Sequence, residues 1–161
     1  MHKTLRAKLS GFCDIIAFMK KGFDYPGISI VALCHDGAGN YLLEHRSDNC
    51  RDERGMWSNV GGGGLEAHES LEDAVRREIK EECGAGVQEI ESLGYREVFR
   101  MIEGVSTHWI AFDYRALINP SEVSICEPEM CLEHRWCKIG EFPEPLHSQF
   151  PYFLEKYKDK L

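Results

Sequence analysis

The chain has 161 residues, 43% of them hydrophobic and 29% charged, a composition typical of one folded globular domain and unlike that of a disordered chain. Its 27 acidic and 19 basic residues give a formal net charge of −8, which argues against binding to an extended nucleic acid backbone. No apolar stretch approaches the roughly 20 residues that cross a bilayer, and the seven cysteines include no Cys-x-x-Cys pair, so we expect no membrane contact, reduced thiols and a cytoplasmic location.

The N-terminal third predicts a lead-in segment followed by a β-hairpin. Residues 1–26 mix basic and apolar residues and end at Pro26-Gly27. Residues 27–34 are rich in β-branched and apolar side chains, residues 35–40 are turn formers, and residues 41–46 resume an extended pattern. Two such runs joined by a short turn predict a hairpin.

The middle of the chain predicts a glycine loop and then a helix. Gly61 to Gly64 are consecutive glycines, a backbone too flexible to form regular structure by itself. Ser70 and Asp73 have the spacing of a capping box, and Gly84 is a suitable terminator. We therefore predict a helix over residues 71–83.

The last part predicts a second hairpin, one more strand and a closing helix. Residues 93–101 and 106–117 are rich in aromatic and β-branched residues and flank a turn at residues 102–104. Residues 133–139 predict a strand, and residues 148–160 an amphipathic helix. This order of elements predicts an α/β (α+β) fold, with a mixed β-sheet sandwiched between helices.

Three acids on the predicted middle helix form an unusual group. Glu78, Glu81 and Glu82 have i, i+3, i+4 spacing, so they lie within about 100° of one another around the helix. They overlap the sector of its apolar residues, where desolvated like charges repel strongly. A hard divalent ion with oxygen ligands would compensate that repulsion. The alternative is a solvated acidic surface at the helix end.

Residues 63–85 carry a longer motif. Gly63, Glu69 and the run Arg77-Glu78-Ile79-Lys80-Glu81-Glu82-Cys83-Gly84-Ala85 match the Nudix box at its fixed positions, so the chain resembles the Nudix hydrolases. His68 stands where that family commonly has glycine, and Ala85 where it usually has a larger aliphatic residue. The resemblance covers roughly residues 27–146 and implies a Nudix domain at residues 27–161.

The resemblance also implies roles for the box residues. Glu81 and Glu82 are expected to bind Mg²⁺ or Mn²⁺, with Glu78 as a further ligand or the general base, and Gly63 is expected to offer its backbone carbonyl to the metal. The implied catalytic residues are Glu78, Glu81 and Arg77, with Arg77 orienting a carboxylate through a charged hydrogen bond.

Residues outside the box are candidates for contacts with the substrate. Trp57 and Trp136, and also Phe99 and Tyr114, are candidates to stack on a base, although aromatic residues in strands more often belong to the core. Arg46 and Arg100 are candidate phosphate contacts. Glu127 and Glu129 lie in a loop where some relatives place an additional acid; the alternative is simple solvation.

Four soft ligands near the end of the chain form a candidate zinc cluster. Cys126, Cys131, His134 and Cys137 lie within twelve residues of one another. Their spacing matches no standard zinc pattern, and strand alternation sends some of these side chains to opposite faces. The sequence therefore argues against a zinc site built from these residues.

The function that the resemblance implies is hydrolysis of a phosphoanhydride bond in a small nucleotide. The leading expectation is a nucleoside triphosphate, oxidised or not, cut to a monophosphate and pyrophosphate; ADP-ribose and nucleotide sugars are alternatives. From other classes, an isopentenyl-diphosphate isomerase needs a catalytic cysteine and additional metal-binding histidines, and a sensing domain usually lacks some box acids. The family also suggests a homodimer.

Overall fold

The computed structural model describes residues 19–102 and 104–161. The predicted lead-in therefore lies largely outside the described residues. Seven strands are present: β1 (Gly27–His35), β2 (Tyr41–Arg46), β3 (Trp57–Asn59), β4 (Gly62–Gly64), β5 (Val87–Ile102), β6 (Val105–Ile118) and β7 (Cys131–Cys137). The helices are α1 (Leu71–Cys83) and α2 (Phe150–Tyr157), with a 3-10 turn at Pro120–Glu122.

The strands form one mixed sheet that splits after the first hairpin. β1 pairs with β2 only at His35 and Tyr41, beside a turn in which the Asp36 carboxylate accepts hydrogen bonds from the N–H groups of Ala38 and Asn40. Beyond that pair β1 lies between β4, which is antiparallel, and β6, which is parallel. β2 instead lies between β3 and β7, both antiparallel. The divergence of β1 and β2 leaves a cleft between them.

Each face of the sheet is covered by a helix. On one face, α1 packs on a core that includes Ile30, Leu42 and Ile79. On the other, α2 packs through Phe150 and Phe153 on a core that includes Leu33. This arrangement confirms the predicted mixed sheet between helices. Neither helix in the described part of the chain has the length and hydrophobicity needed to span a membrane.

Most predicted elements are present, with shifted ends. The second hairpin is longer than predicted because β5 and β6 reach from Val87 to Ile118. The last strand runs from Cys131 to Cys137 rather than over residues 133–139, and the last helix is shorter than predicted. The glycine run is not irregular: Gly62–Gly64 forms β4, because β1 supplies a ladder of backbone partners.

Candidate active site

Helix α1 presents the box acids because both of its ends are fixed locally. The Ser70 hydroxyl accepts a hydrogen bond from the Asp73 N–H (3.1 Å), and Gly84 closes the helix in the left-handed conformation. Ala74, Val75, Ile79 and Cys83 are buried against the sheet. The helix predicted over residues 71–83 is therefore confirmed at both ends.

The three acids of α1 occupy different environments. The Glu82 carboxylate accepts a hydrogen bond from the Gly61 N–H (2.5 Å) and burial raises its pKa well above the usual value. The Glu78 side chain is 13% exposed, and burial raises its pKa as well. Glu81 is 52% exposed. The prediction that all three point toward the core is wrong for Glu81, which lies on the solvent side of Arg77.

Glu78 and Glu82 open into a cavity of about 300 Å³, here called the acid cavity. Its lining comprises Glu44, Arg46, Cys50, Arg51, Asp52, Gly62, Glu78, Glu82, Glu127 and Met130. Burial raises the pKa of Glu44, Glu78, Glu82 and Glu127. Four carboxyl groups around one cavity, each disfavoured in its charged form, fit a hard divalent cation with oxygen ligands.

Arg77 fixes the orientation of Glu78. Its Nε and Nη2 donate to the two carboxylate oxygens of Glu69 (2.7 and 3.0 Å), and its Nη1 donates to Glu78 Oε1 (2.7 Å) and Glu81 Oε2 (3.2 Å). Its Nη2 also donates to the Gly64 carbonyl (3.3 Å). The hydrogen bonds to Glu69 are the main reason that the pKa of Arg77 is raised. Arg77 therefore joins the helix to the glycine strand.

The glycine strand leaves the space that Glu78 occupies. A Cβ on Gly63 would lie 2.0 Å from Glu78 Oε1, so any side chain there would force the Glu78 carboxylate to move. Hydrogen bonds from Leu65 N–H to the Ile28 carbonyl and from Ala32 N–H to the Gly61 carbonyl flank the Ile30–Gly63 pair. In an antiparallel ladder this alternation directs the Gly63 carbonyl at β1. The expected metal contact of the Gly63 carbonyl stays a prediction that this ladder does not favour, whereas Gly62 lines the acid cavity.

The backbone conformation of His68 explains why the family commonly has glycine at this position. Its φ is 68°, in the left-handed region where glycine is favoured and few other residues lie. The turn before α1 thus keeps the backbone conformation that a glycine would adopt, with a side chain added.

A second cavity of about 310 Å³, here called the arginine cavity, adjoins the first. The two share Glu44, Arg46, Arg51, Asp52, Gly62 and Glu82. The arginine cavity is also lined by Arg96, Arg100, Trp109, His147, Phe150 and Phe153, among others. The cleft therefore carries carboxylates at one end and guanidinium and aromatic groups at the other.

Several predicted substrate contacts do not reach the cleft. Trp57 is 4% exposed because it is stacked between His45 and Arg135, and Trp136 packs against the core under α1. Tyr114 is in that core too, while Phe99 is exposed outside the cleft. The stacking roles expected for these aromatic residues therefore stay predictions that the lining of the cleft does not support.

Both predicted arginines line the cleft, but only one of the two predicted additional acids does. Arg46 lines both cavities, and Arg100 lines the arginine cavity. Glu127 lines the acid cavity, whereas the side chain of Glu129 is exposed and only its carbonyl is used, by Ser47 and Asn49. The expectation of an additional acid at Glu129 is corrected for that reason.

The sequence pattern does not single out four residues that line the cleft: Glu44, Arg51, Arg96 and His147. For Glu44 a signal exists, because an acid that shares a strand face with Leu42 is out of place in a core. For the other three no signal exists, since they come from a loop, from the distant strand β5 and from the segment before α2.

Comparisons with known proteins agree on one family. A family model described as the NUDIX domain matches residues 25–157. The solved structure of a MutT NUDIX hydrolase from Burkholderia pseudomallei is 28% identical, with a TM-score of 0.72, and the match covers 82% of this chain and 98% of that one.

Two curated relatives match over shorter stretches. An isopentenyl-diphosphate Delta-isomerase from Burkholderia multivorans is 34% identical over 91 residues, 55% of this chain and 51% of that protein. A nucleoside triphosphatase NudI from Salmonella arizonae is 48% identical over 46 residues, 29% of this chain and 32% of that protein. The chain thus spans about half or less of the length of these curated relatives.

Proposed function

This chain belongs to the NUDIX domain family, and we propose that it is a divalent-metal-dependent hydrolase that cuts a phosphoanhydride bond of a nucleoside diphosphate-linked compound. Our preferred substrate is a nucleoside triphosphate, oxidised or not, released as a monophosphate and pyrophosphate. The observation that carries the proposal is the continuity of the acid cavity with the arginine cavity. Carboxylates for a metal thereby lie beside guanidinium groups for phosphates.

Glu78 and Glu82 are the proposed ligands of Mg²⁺ or Mn²⁺, and Glu81 joins them by turning away from Arg77. A bound ion would lower the pKa of the attacking water and neutralise charge on the phosphate oxygens. The protein positions these ligands through Arg77 and the Gly61 N–H, so little reorganisation is needed when charge develops. Gly62 is the proposed source of a backbone carbonyl.

Glu127 is the proposed proton acceptor. It faces the acid cavity from the loop before β7, and no hydrogen bond to its carboxylate is present among the described residues. Burial raises its pKa, which brings it closer to the value that suits a general base near neutral pH. Glu78 is the alternative base, but its hydrogen bond to Arg77 favours the ionised form that binds metal.

The arginine cavity is the proposed seat of the rest of the substrate. Arg46 and Arg51 lie where the two cavities meet and suit the phosphate chain. Farther in, the half-buried ring of Trp109 offers aromatic surface for the nucleoside. ADP-ribose and nucleotide sugars have the same diphosphate core and are the alternatives within this class.

An isomerase of isopentenyl diphosphate is the alternative from another class, and the 34% identity to such an enzyme favours testing it. That chemistry needs a cysteine and additional histidines. Cys50 lines the acid cavity, but no histidine does so among the described residues. A sensing domain without catalysis is less well supported, because every box acid is present. The complete box favours hydrolysis.

Product release from a panel of compounds tests the proposal. The panel contains nucleoside triphosphates, oxidised triphosphates, nucleotide sugars, ADP-ribose and isopentenyl diphosphate, each with Mg²⁺, Mn²⁺ or a chelator. We expect turnover of a nucleotide that disappears with the chelator. Isomerisation of isopentenyl diphosphate without nucleotide hydrolysis would overturn the proposal, and so would silence across the panel.

We also propose that the protein is cytoplasmic and forms a homodimer. The six cysteines among the described residues are free thiols, which supports a reducing compartment. Light scattering during size-exclusion chromatography of the full chain tests the dimer.

A further inference from the structure

A second group of metal-ligand side chains lies where β2 pairs with β7. Glu44 is directly opposite His134 in this ladder, and Arg46 is opposite Cys131. Between these pairs β7 has one extra residue, Leu132, because the register shifts from His45–Glu133 to Arg46–Cys131. Such a β-bulge reverses the alternation of the strand, so Cys131 and His134 share one face.

Ligand atoms of Glu44, Cys131 and His134 lie within 4.8 Å of one another. The bulge thus brings two of the four residues of the candidate zinc cluster onto one face, while the expectation that some of the four point to opposite faces holds for Cys137. Cys126 lies instead beside Gly84 and Ser124, and Cys137 lies in the core under α2.

The histidine of this group lacks partners. Both ring nitrogens of His134 are buried, and neither has a hydrogen-bond partner in the described part of the chain. A buried imidazole normally places its N–H on an acceptor. Glu44 is paired with Arg46 through Oε1 (3.3 Å), and its Oε2 has no hydrogen-bond partner among residues 19–102 and 104–161. A nitrogen, a carboxylate oxygen and a thiol sulfur thus converge without satisfying one another.

We propose that Glu44, Cys131 and His134 bind a divalent transition metal such as Zn²⁺, at a site separate from the magnesium or manganese ligands of α1. One sulfur, one nitrogen and one oxygen ligand form a set that zinc accepts in tetrahedral geometry, with a fourth position for water. A thiolate and an imidazole disfavour Mg²⁺, which prefers oxygen. The acid cavity, in contrast, offers oxygen ligands from α1.

The site has a structural consequence for the active site. An ion there joins β2 to the bulge of β7 and fixes the carboxylate of Glu44 at the wall of both cavities. Binding there requires the thiolate form of Cys131 and the neutral imidazole of His134.

Cobalt provides a test that does not depend on hydrolysis. We would titrate the purified full chain with Co²⁺ in excess Mg²⁺, without substrate, and record near-ultraviolet thiolate-to-cobalt charge transfer and visible ligand-field bands. We expect one Co²⁺ per chain with a thiolate band that Zn²⁺ abolishes and Mg²⁺ does not. Cys131→Ser should remove the band, and His134→Gln should weaken binding at least tenfold.

Three matched variants identify the ligands. Cys137→Ser changes the other thiol of β7, and Cys50→Ser changes the thiol of the acid cavity; both should keep the band. Glu81→Gln should also keep it, because Glu81 belongs to the other site. A band that survives Cys131→Ser, or that is lost with Cys50→Ser, would overturn the proposal. The absence of a thiolate band in the wild-type chain would also overturn the proposal, and that measurement does not depend on whether any variant folds.

Discussion

Glu82 is an acid of the acid cavity whose carboxyl group is withdrawn from solvent. Because burial raises its pKa, its ionised form is unfavourable until a cation is present. We predict that Glu82→Gln lowers metal-dependent turnover by at least about 100-fold, since even residues that only orient a metal ligand contribute 10 to 100-fold. Without metal, the same variant should unfold at the same temperature as the wild type or at a higher one, because a buried charge is removed.

Glu155→Gln is the matched control for this prediction. Glu155 is an acid on α2 whose side chain is 76% exposed and pairs only with Lys158. Steady-state turnover and thermal unfolding with a chelator should both remain close to those of the wild type. If Glu82→Gln kept full turnover, the proposed ligand set would be wrong.

Gly63 and Gly62 allow a second comparison within one strand. A Cβ at Gly63 would collide with Glu78 Oε1 at 2.0 Å, whereas a Cβ at Gly62 would meet nothing closer than 3.5 Å. Gly63→Ala should therefore displace Glu78 and lower turnover by roughly 100-fold, the scale of a 1 Å misplacement. Gly62→Ala keeps its carbonyl and should stay within a few-fold of the wild type. Equal turnover of the two variants would contradict this account.

The spacing of the motif predicted a cluster of acids on one helix, but not how each one is oriented. Glu78 and Glu82 line the acid cavity as helix geometry implies, while Glu81 is exposed because Arg77 holds it on the solvent side. Trp57 could not be assigned from the sequence, because its neighbours His45 and Arg135 come from two other strands.

Helix α2 is tied to the sheet by a buried polar network rather than by apolar contacts alone. Asp113 is fully buried and accepts hydrogen bonds from Arg96 Nε (2.7 Å), Arg96 Nη2 (2.9 Å) and the Tyr157 hydroxyl (2.8 Å). Tyr157→Phe removes one donor to a charged acceptor. We predict a loss of about 1 to 3 kcal/mol in the free energy of unfolding, measured by urea denaturation.

Tyr152→Phe is the control on the same helix. Tyr152 is 67% exposed, so the loss of its hydroxyl should change the free energy of unfolding by less than about 0.5 kcal/mol. Arg96 also lines the arginine cavity, so a weaker attachment of α2 should raise KM for the nucleotide as well. A Tyr157→Phe protein as stable as Tyr152→Phe would contradict the proposed role of the network.

Elements whose signals are local were predictable, and those that depend on a distant partner were not. Helix α1 carries its own cap at Ser70 and its own terminator at Gly84. Strand β4 consists of glycine and exists only because β1 supplies hydrogen-bond partners. The bulge at Leu132 likewise depends on how β7 meets β2, and no composition signal marks it.

The layered α+β architecture follows from the order of the elements, but the cleft depends on how strands separate in space. β1 and β2 look like an ordinary hairpin in the sequence, yet they share only one paired position. The cavities form where they diverge, and residues from β5 and from the segment before α2 complete the lining. That convergence is a property of the whole molecule, which explains why Arg96 and His147 escaped prediction.

His147 is the residue of the cleft through which we expect stability to depend on pH. Its Nδ1 accepts a hydrogen bond from the Gln149 N–H (3.1 Å), and burial, with Arg100 nearby, lowers its pKa from 6.5 to about 4. The pKa of His147 is lower in the folded state than in the unfolded state, so protonation of this residue favours unfolding. The stability associated with neutral His147 is therefore complete above pH 6.5 and is lost as pH falls toward 4. We predict a loss on the order of 2 kcal/mol across this window.

Replacing His147 separates its titration from that of other groups. His147→Gln should be less stable than the wild type near pH 7 and should lose less stability between pH 6.5 and 4, measured by urea denaturation at several pH values. His35→Gln is the matched comparison: burial lowers the pKa of His35 as well, but this residue lies at the first hairpin, away from the cleft. If His147→Gln and the wild type lost stability in parallel, His147 would not be the group that couples the cleft to pH. If His147→Gln flattened the profile more than His35→Gln, acid would loosen the junction of α2 with the arginine cavity before it unfolds the sheet.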